Sequence, residues 1–340
     1  MTSGATRMNE TTVLAALTIA LVEAACAEGA GRGGLLDAAG LDEAALADAD
    51  ARVPLDSHLR LLEAIFRDPA PDLGLRIGAR VGARGLGVVG HAMEAGATLG
   101  EALAFLRRYR SLIVEAAVPD VTIEGGSLLM TQVLPPRLTW QRGPAEAQAA
   151  GALTQLRVLA GEGIHPTLVE LPHAAPPDER AHRAFFRSPL AWGAGLLRLT
   201  FPAEVLATPL PRENASLFHY LSRRADALRG EMARERDVLD KVLRAIVAAL
   251  SQGEPDVRSI ARRVGMSTRS LQRRLAERGK SFAQLLDEVR RERALDLLSD
   301  GRLSVTEVGY LLGYAEPAAF HRAFKRWTGS APGQYRRSSR

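Results

Sequence analysis

Apolar positions in this chain follow a helical period in some stretches and alternate in others, and the switches between the two mark out its elements. Leu59, Leu62 and Phe66 keep a helical spacing and predict a helix over residues 56–66. The same reading predicts helices over 14–28, 41–47, 99–112, 145–160 and 178–185, with Thr98 capping the third. Glycine-rich 29–34 separates the first two, and 72–78 reads as a short connection entering another helix. Strand character is expected at 114–118, 121–124, 128–134, 167–171 and 196–201, with Gly125 and Gly126 as a hairpin turn. Strands interleaved with helices predict a layered α+β domain over 10–210, not an all-β barrel. Residues 214–250 carry a broken apolar stripe (Leu217, Leu221, Leu228, Met232, then Val238, Val242, Ile246, Leu250) around a charge-dense middle. That suits a helical linker over 211–252, whether it transmits a signal, forms a dimer seam or is a solvated connector.

From residue 253 onward every period is helical, and one pattern occurs twice. Ile260, Ala261, Val264 and Gly265 match Val308, Gly309, Leu312 and Gly313, 48 residues later. Apolar residues at i and i+4 turn one stripe of a helix inward. The small residue lets a second helix cross closely, and the glycine supplies the left-handed conformation that ends the first. Each copy therefore predicts the first helix and turn of a helix-turn-helix. After the turns, Ser267 caps a helix with Leu271 and Leu275 inward, and Pro317 opens one with Phe320, Phe324 and Trp327 inward. Ser281 with Gln284 and Ser304 with Glu307 read as capping boxes. The first opens a connecting helix whose stripe is Leu285, Val289, Ala294, Leu297 and Leu298.

On Ile260-Ala261, Gly265, Leu271, Arg290 with Ala294, Gly313-Tyr314, Phe320, Arg322, Phe324-Lys325, Gly329, Pro332 and Tyr335-Arg336, the stretch 256–337 resembles the DNA-binding domain of the AraC/XylS transcription regulators. The resemblance implies an all-α domain over 253–340 whose two recognition helices enter successive major grooves of double-stranded DNA, ~34 Å apart. By position on the outward face, Arg269, Gln272 and Arg273 are the base-reading candidates of the first helix, with Thr268 beside them. His321 and Arg322 are those of the second. Arginine suits guanine O6/N7, and glutamine suits adenine N6/N7. Arg274, Arg278, Lys280, Lys325 and Arg326 read as phosphate contacts or solvated charge. Ala315 replaces a polar cap, and Pro317 and Ala318 replace longer polar residues, so the second helix is expected to start at Glu316 or fray and to read less sequence. RNA polymerase is an implied partner, and activation is the commoner role in the family.

Charge agrees with this division. Residues 253–340 hold 18 Lys/Arg against 10 Asp/Glu, and the rest hold 26 against 29. A basic end on a mildly acidic body is the electrostatic footprint of a nucleic-acid-binding module. Its aromatics lie at core spacing, which favours duplex DNA over stacked single strands.

Residues 10–210 resemble, more loosely, the arabinose-binding-like N-terminal domain of regulators of the ornithine-responsive type. The residues are Arg52-Val53-Pro54, the run 72–78, Gly87, Gly90, Thr98-Leu99, Glu101, Leu103 and the region 185–210. That implies an effector-binding and dimerisation domain, a homodimer and an unidentified small-molecule effector; nothing spells sugar recognition. Arg107, Tyr109, Trp140 and Arg142 are the candidate effector contacts, since an arginine holds a carboxylate in bidentate fashion. The alternatives are a constitutive DNA-binding protein whose N-terminal domain only dimerises, and a DNA-modifying enzyme fused to this module. A cysteine-dependent repair enzyme needs cysteines beyond Cys26, and this chain has one. No Ser elbow or Cys/His constellation is visible, so no catalytic residue is expected. The run 82–90 resembles a phosphate loop but lacks the Lys-Ser/Thr ending and the preceding strand. His173 and His182 show no companion carboxylate at ligand spacing, so neither metal nor cofactor is expected. The apolar run 13–26 contains Glu23 and is too short for a bilayer, so no membrane partner is expected and a cytoplasmic location is.

Overall fold

In a computed structural model the described residues are 11–67, 70–81, 85–115, 120–132, 138, 141–250, 253, 255–276, 280–300 and 303–338. They form two compact units, Met1–Arg229 and Gly230–Arg340.

The first unit opens with β1 (Thr12–Leu14), α1 (Ala15–Ala27), α2 (Arg32–Ala39), β2 (Arg52–Pro54) and α3 (Leu55–Ile65). It continues with α4 (Leu73–Val81), α5 (Gly87–Ala95) and α6 (Leu99–Tyr109), the last capped by the Thr98 hydroxyl, which accepts from the Glu101 N–H. Then follow β3 (Asp120–Glu124), β4 (Ser127–Gln132), α7 (Arg142–Ala160), β5 (Leu168–Leu171), α8 (Arg180–Phe186), β6 (Leu190–Trp192) and β7 (Leu197–Pro202). The long α9 (Ala215–Leu250) crosses from this unit into the next.

Five strands make a mixed sheet in the order β3-β4-β7-β5-β6, parallel only between β5 and β6. Leu128 and Met130 on β4, Val169 and Leu171 on β5, and Leu197, Leu199 and Phe201 on β7 turn to the buried face. That period of two is the reason these segments are legible as strands. Helix α7 packs against β7, and α4 packs against α7. The α4–α7 contact needs small residues. A Cβ on Gly78 would come within 2.2 Å of the Ala147 carbonyl oxygen, and one on Gly74 within 2.6 Å of the Glu146 Cβ.

Five expectations need correction. Of 72–78, read as a connection, residues 73–78 already belong to helix α4, and their glycines serve close approach to α7. Gly33 and Gly34, expected between helices, lie inside α2, and 41–47 holds only a 3-10 turn at Ala44–Leu46. Helix α1 starts at Ala15, because Thr12–Leu14 pairs antiparallel with Arg52–Pro54. Of the strand expected at 114–118, Val114 makes an isolated bridge to Val13, and 116–118 lie outside the described residues.

His58 on α3 is buried, with its Nδ1 2.9 Å from the Thr18 hydroxyl. Burial disfavours the charged ring and lowers its pKa to about 4 from 6.5. Above pH 6.5 the ring is neutral folded or unfolded. As pH falls toward 4, the unfolded chain takes a proton that the folded chain refuses, so stability is lost across that window. Urea unfolding of wild type and His58→Gln between pH 7 and pH 4 should show a shallower pH dependence in the variant.

The second unit adds α10 (Val257–Arg263), α11 (Thr268–Ala276), α12 (Phe282–Asp300), α13 (Val305–Leu311), α14 (Pro317–Thr328) and α15 (Pro332–Ser338). One core joins them, built on Ile260, Leu271, Leu275, Leu285, Val289, Leu298, Val308, Leu312, Phe320 and Phe324. Val242, Ile246 and Leu250 at the end of α9 belong to that core, so the helix read as a linker over 211–252 is partly a structural element of this unit.

Candidate nucleic-acid interface and effector site

The two repeated turns carry the same hydrogen bonds. In the first, the Gly265 N–H donates to the Arg262 carbonyl and the Met266 N–H to that of Ala261, at 3.2 and 2.9 Å. In the second, Gly313 donates to Tyr310 and Tyr314 to Gly309, at 3.0 and 3.1 Å. Both glycines are left-handed, with φ +71° and +76°. This is a Schellman-type ending, which uses carbonyls that a helix end leaves over. At Gly313 there is a second demand: a Cβ would come within 2.5 Å of the Gly253 carbonyl oxygen. Gly309 answers the expectation of close crossing, since a Cβ there would meet the Phe320 side chain at 3.2 Å.

The helices after the turns are held by their apolar faces. On α11, Leu271 and Leu275 are buried, while Arg269, Gln272, Arg273 and Arg274 are exposed and Thr268 is half-buried. Ser267 accepts the Ser270 N–H at 3.1 Å, as its position suggests. On α14, Phe320, Ala323 and Phe324 are buried, while His321, Arg322, Lys325 and Arg326 are exposed. Glu316 caps this helix without a side-chain hydrogen bond, and Pro317 stands in its first turn. Both capping boxes form: Ser281 with Gln284, and Ser304 with Glu307. Backbone donors at Ser304, then its hydroxyl, hold the Glu307 carboxyl below the usual range. Asp256 is a further cap that sequence reasoning missed; it accepts the Arg258 and Ser259 N–H groups.

Two charges grouped with the phosphate contacts have protein partners. Arg326 pairs with Asp287 at 2.7 Å, and Lys280 with Glu288 at 2.6 Å. Arg278 lies outside the described residues. Arg290 is buried, donates to the Leu312 carbonyl at 3.0 Å, and places its guanidinium 4.4 Å from the Tyr314 ring centroid. It thereby ties α12 to the second turn.

In the first unit the four effector candidates separate. Arg107 is exposed. Tyr109 is buried on Phe105, with ring centroids 4.4 Å apart. The Arg108 and Arg229 guanidinium groups lie 5.0 and 5.3 Å from its ring, and Asp226 pairs with both arginines at 3.2 Å. Burial, then a hydrogen bond with Asp226, raises the Tyr109 pKa. Tyr109 therefore fastens the start of α9 to α6, as does Phe218 on Phe105. Trp140 lies outside the described residues.

Arg142 joins a cluster that sequence reasoning missed. Its Nε is 3.0 Å from Glu146 Oε1, and the same oxygen lies 2.6 Å from His182 Nε2 and 3.9 Å from His173 Nε2. The Trp192 ring lies 5.3 Å from that of His173 and 5.4 Å from that of His182. Glu146 and His182 are each 1% exposed. The expectation that these histidines have no companion carboxylate is thus corrected: Glu146 reaches both, from far away in sequence. The available signal was Arg142 and Glu146 at i and i+4 in an alanine-rich helix. Among the described residues no three such side chains have the arrangement of a metal site. No helix there is long and apolar enough to cross a membrane. Of the run 82–90, residues 82–84 lie outside the described residues, and α5 begins at Gly87.

Comparison with known proteins adds to this geometry. Residues 29–210 match the arabinose-binding domain of AraC transcription regulators, N-terminal part, and 260–338 match a helix-turn-helix domain. An ornithine utilization regulator from Pseudomonas aeruginosa is 28% identical, over 93% of this chain and 94% of that protein. An uncharacterised HTH-type transcriptional regulator from Mycobacterium tuberculosis is 31% identical, over 94% and 95%. The crystal structure of the transcriptional regulator CdpR from Pseudomonas aeruginosa aligns over 90% of this chain and 96% of its own, at 24% identity and a TM-score of 0.43.

Proposed function

The chain belongs to the AraC family of transcription regulators, and on that premise we propose which residues read DNA and what the first unit does. Helices α11 and α14 lie in adjacent major grooves of a duplex. Arg269, Gln272 and Arg273 read bases in the first half-site, flanked by Thr268 and Arg274. His321 and Arg322 read a shorter set in the second, with Lys325 on the backbone. The observation that carries this reading is the pair of identically bonded turns, each followed by a helix buried on one face and polar on the other. The protein acts in the cytoplasm as a homodimer, and as an activator that engages RNA polymerase. Its first unit senses a small molecule, as the name of the ornithine utilization relative suggests for that protein. The DNA-binding module runs from residue 230, since Val242, Ile246 and Leu250 close its core.

Replacement of Gln272 or Arg273 by Ala tests the assignment. Each is expected to cost about 1–3 kcal/mol on the preferred site and to relax preference at one or two base pairs. Lys325→Ala should instead weaken binding to all sequences alike and lower the salt slope by about 1. Titrations on matched and scrambled duplexes at two salt concentrations separate the two. Unchanged preference in both α11 variants would contradict the assignment.

A further inference from the structure

The cluster around Glu146 holds polar atoms that the protein itself leaves without partners. His173 is 7% exposed, and its Nδ1 lies 2.9 Å from the Ala174 carbonyl, to which it donates. Burial holds the ring below the ordinary histidine range, so at neutral pH its Nε2 is a lone pair. That lone pair faces a carboxylate oxygen at 3.9 Å, which is acceptor against acceptor. A group with at least two hydrogens to donate satisfies both; an ammonium does so and also meets the carboxylate charge.

Donors stand unmatched in the same cluster. Arg142 Nε and Nη2 and Trp192 Nε1 are buried without a hydrogen-bond partner among the described residues, as are His173 Nε2 and His182 Nδ1. Buried polar groups are ordinarily paired, so five such atoms in one cluster call for an explanation. Guanidinium and indole N–H groups together suit a carboxylate. Arg142 keeps 26% of its side chain exposed and Trp192 is half-buried, so the cluster borders the surface at these two residues. One cation and one carboxylate from the protein also favour a guest with no large net charge at this end.

We propose that Arg142, Glu146, His173, His182 and Trp192 form the effector site, and that the effector is an amino acid. Its ammonium sits between Glu146 and His173, and its carboxylate sits on Arg142 and the Trp192 indole. His182, with Nε2 on Glu146, is a positioning residue that holds the carboxylate in place. The assignment rests on the reading of the first unit as a sensor, and it names the ligand class and the contacts.

Thermal unfolding of the full-length protein tests it, with the twenty standard L-amino acids and L-ornithine as probes. Sugars, fatty acids, aromatic acids without an amine and simple diamines are the controls. An amino acid is expected to raise the Tm, and molecules with only one of the two groups are not. In Trp192→Phe, which keeps the ring, and in His173→Phe, affinity should fall about tenfold. Each variant is used once its unliganded melt is shown to be cooperative. A shift from a control class alone would overturn the amino-acid site while leaving the sensor reading standing. A flat result across all probes would overturn the site and weigh against the sensor reading too. An amino-acid shift equal in wild type and both variants would place the ligand elsewhere and overturn the assigned residues.

Discussion

A fragment beginning at Gly253 is expected to be less stable than one beginning at Gly230 by roughly 5 kcal/mol, at about 1.5–3 kcal/mol for each large side chain withdrawn from the core. Val242, Ile246 and Leu250 are 1%, 0% and 2% exposed, and all three belong to the cluster that also holds Ile260, Leu271 and Phe320. Without them those faces meet water, and Gly313 loses the backbone of Leu250 against which its own backbone packs. A difference of this size approaches the whole stability of a small domain. Urea unfolding of the two fragments, followed by far-ultraviolet circular dichroism, measures it. Equal midpoints would show that α9 is a connector that merely lies against the unit.

Phe320→Ala is the point substitution expected to cost most in the second unit, about 3–5 kcal/mol. Phe320 is fully buried, with ring centroids 5.8 Å from those of both Tyr314 and Phe324. It also closes against Gly309, so its loss opens a gap at the crossing of α13 and α14. Because the ring seats the second recognition helix and not the first, DNA affinity should drop even where the chain remains folded. Phe320→Leu, which keeps most of the volume, should recover much of both. Thermal unfolding and DNA titration of the two variants check the expectation. If Phe320→Ala melted like wild type, α14 would not depend on this contact.

What the sequence revealed, and what it hid, follows from how far apart the deciding contacts are. The double motif was legible because its chemistry is local: Ile260 to Gly265 and Val308 to Gly313 each fit within two helical turns and their cap. The capping boxes at Ser281 and Ser304 span three residues and were read for the same reason. The run 72–78 was misread as a connection because glycines of a loop and glycines that admit a neighbouring helix look alike without that neighbour, here α7. The Thr12–Leu14 and Arg52–Pro54 strands are three residues each and too short to show a period. The Glu146 cluster joins helix α7 to His173, His182 and Trp192, far along the chain, and no local pattern announces it. Arg142 was found only as a conspicuous charge; Glu146 lies one turn along the same helix, and His182 reached that carboxylate only because the fold brought α8 beside α7. Tyr109 was conspicuous for a different reason; its surroundings are Phe105, Arg108, Asp226 and Arg229, which secure the first turns of α9.

Selection from a pool of randomised duplexes by the full-length protein tests the central claim most directly. Two motifs are expected, their centres about 10 base pairs apart, with the α11 half-site the more sharply defined. Arg273→Ala should blur that half-site and leave the other unchanged. A single undivided motif, no enriched motif, or the same motif from wild type and Arg273→Ala would contradict the account.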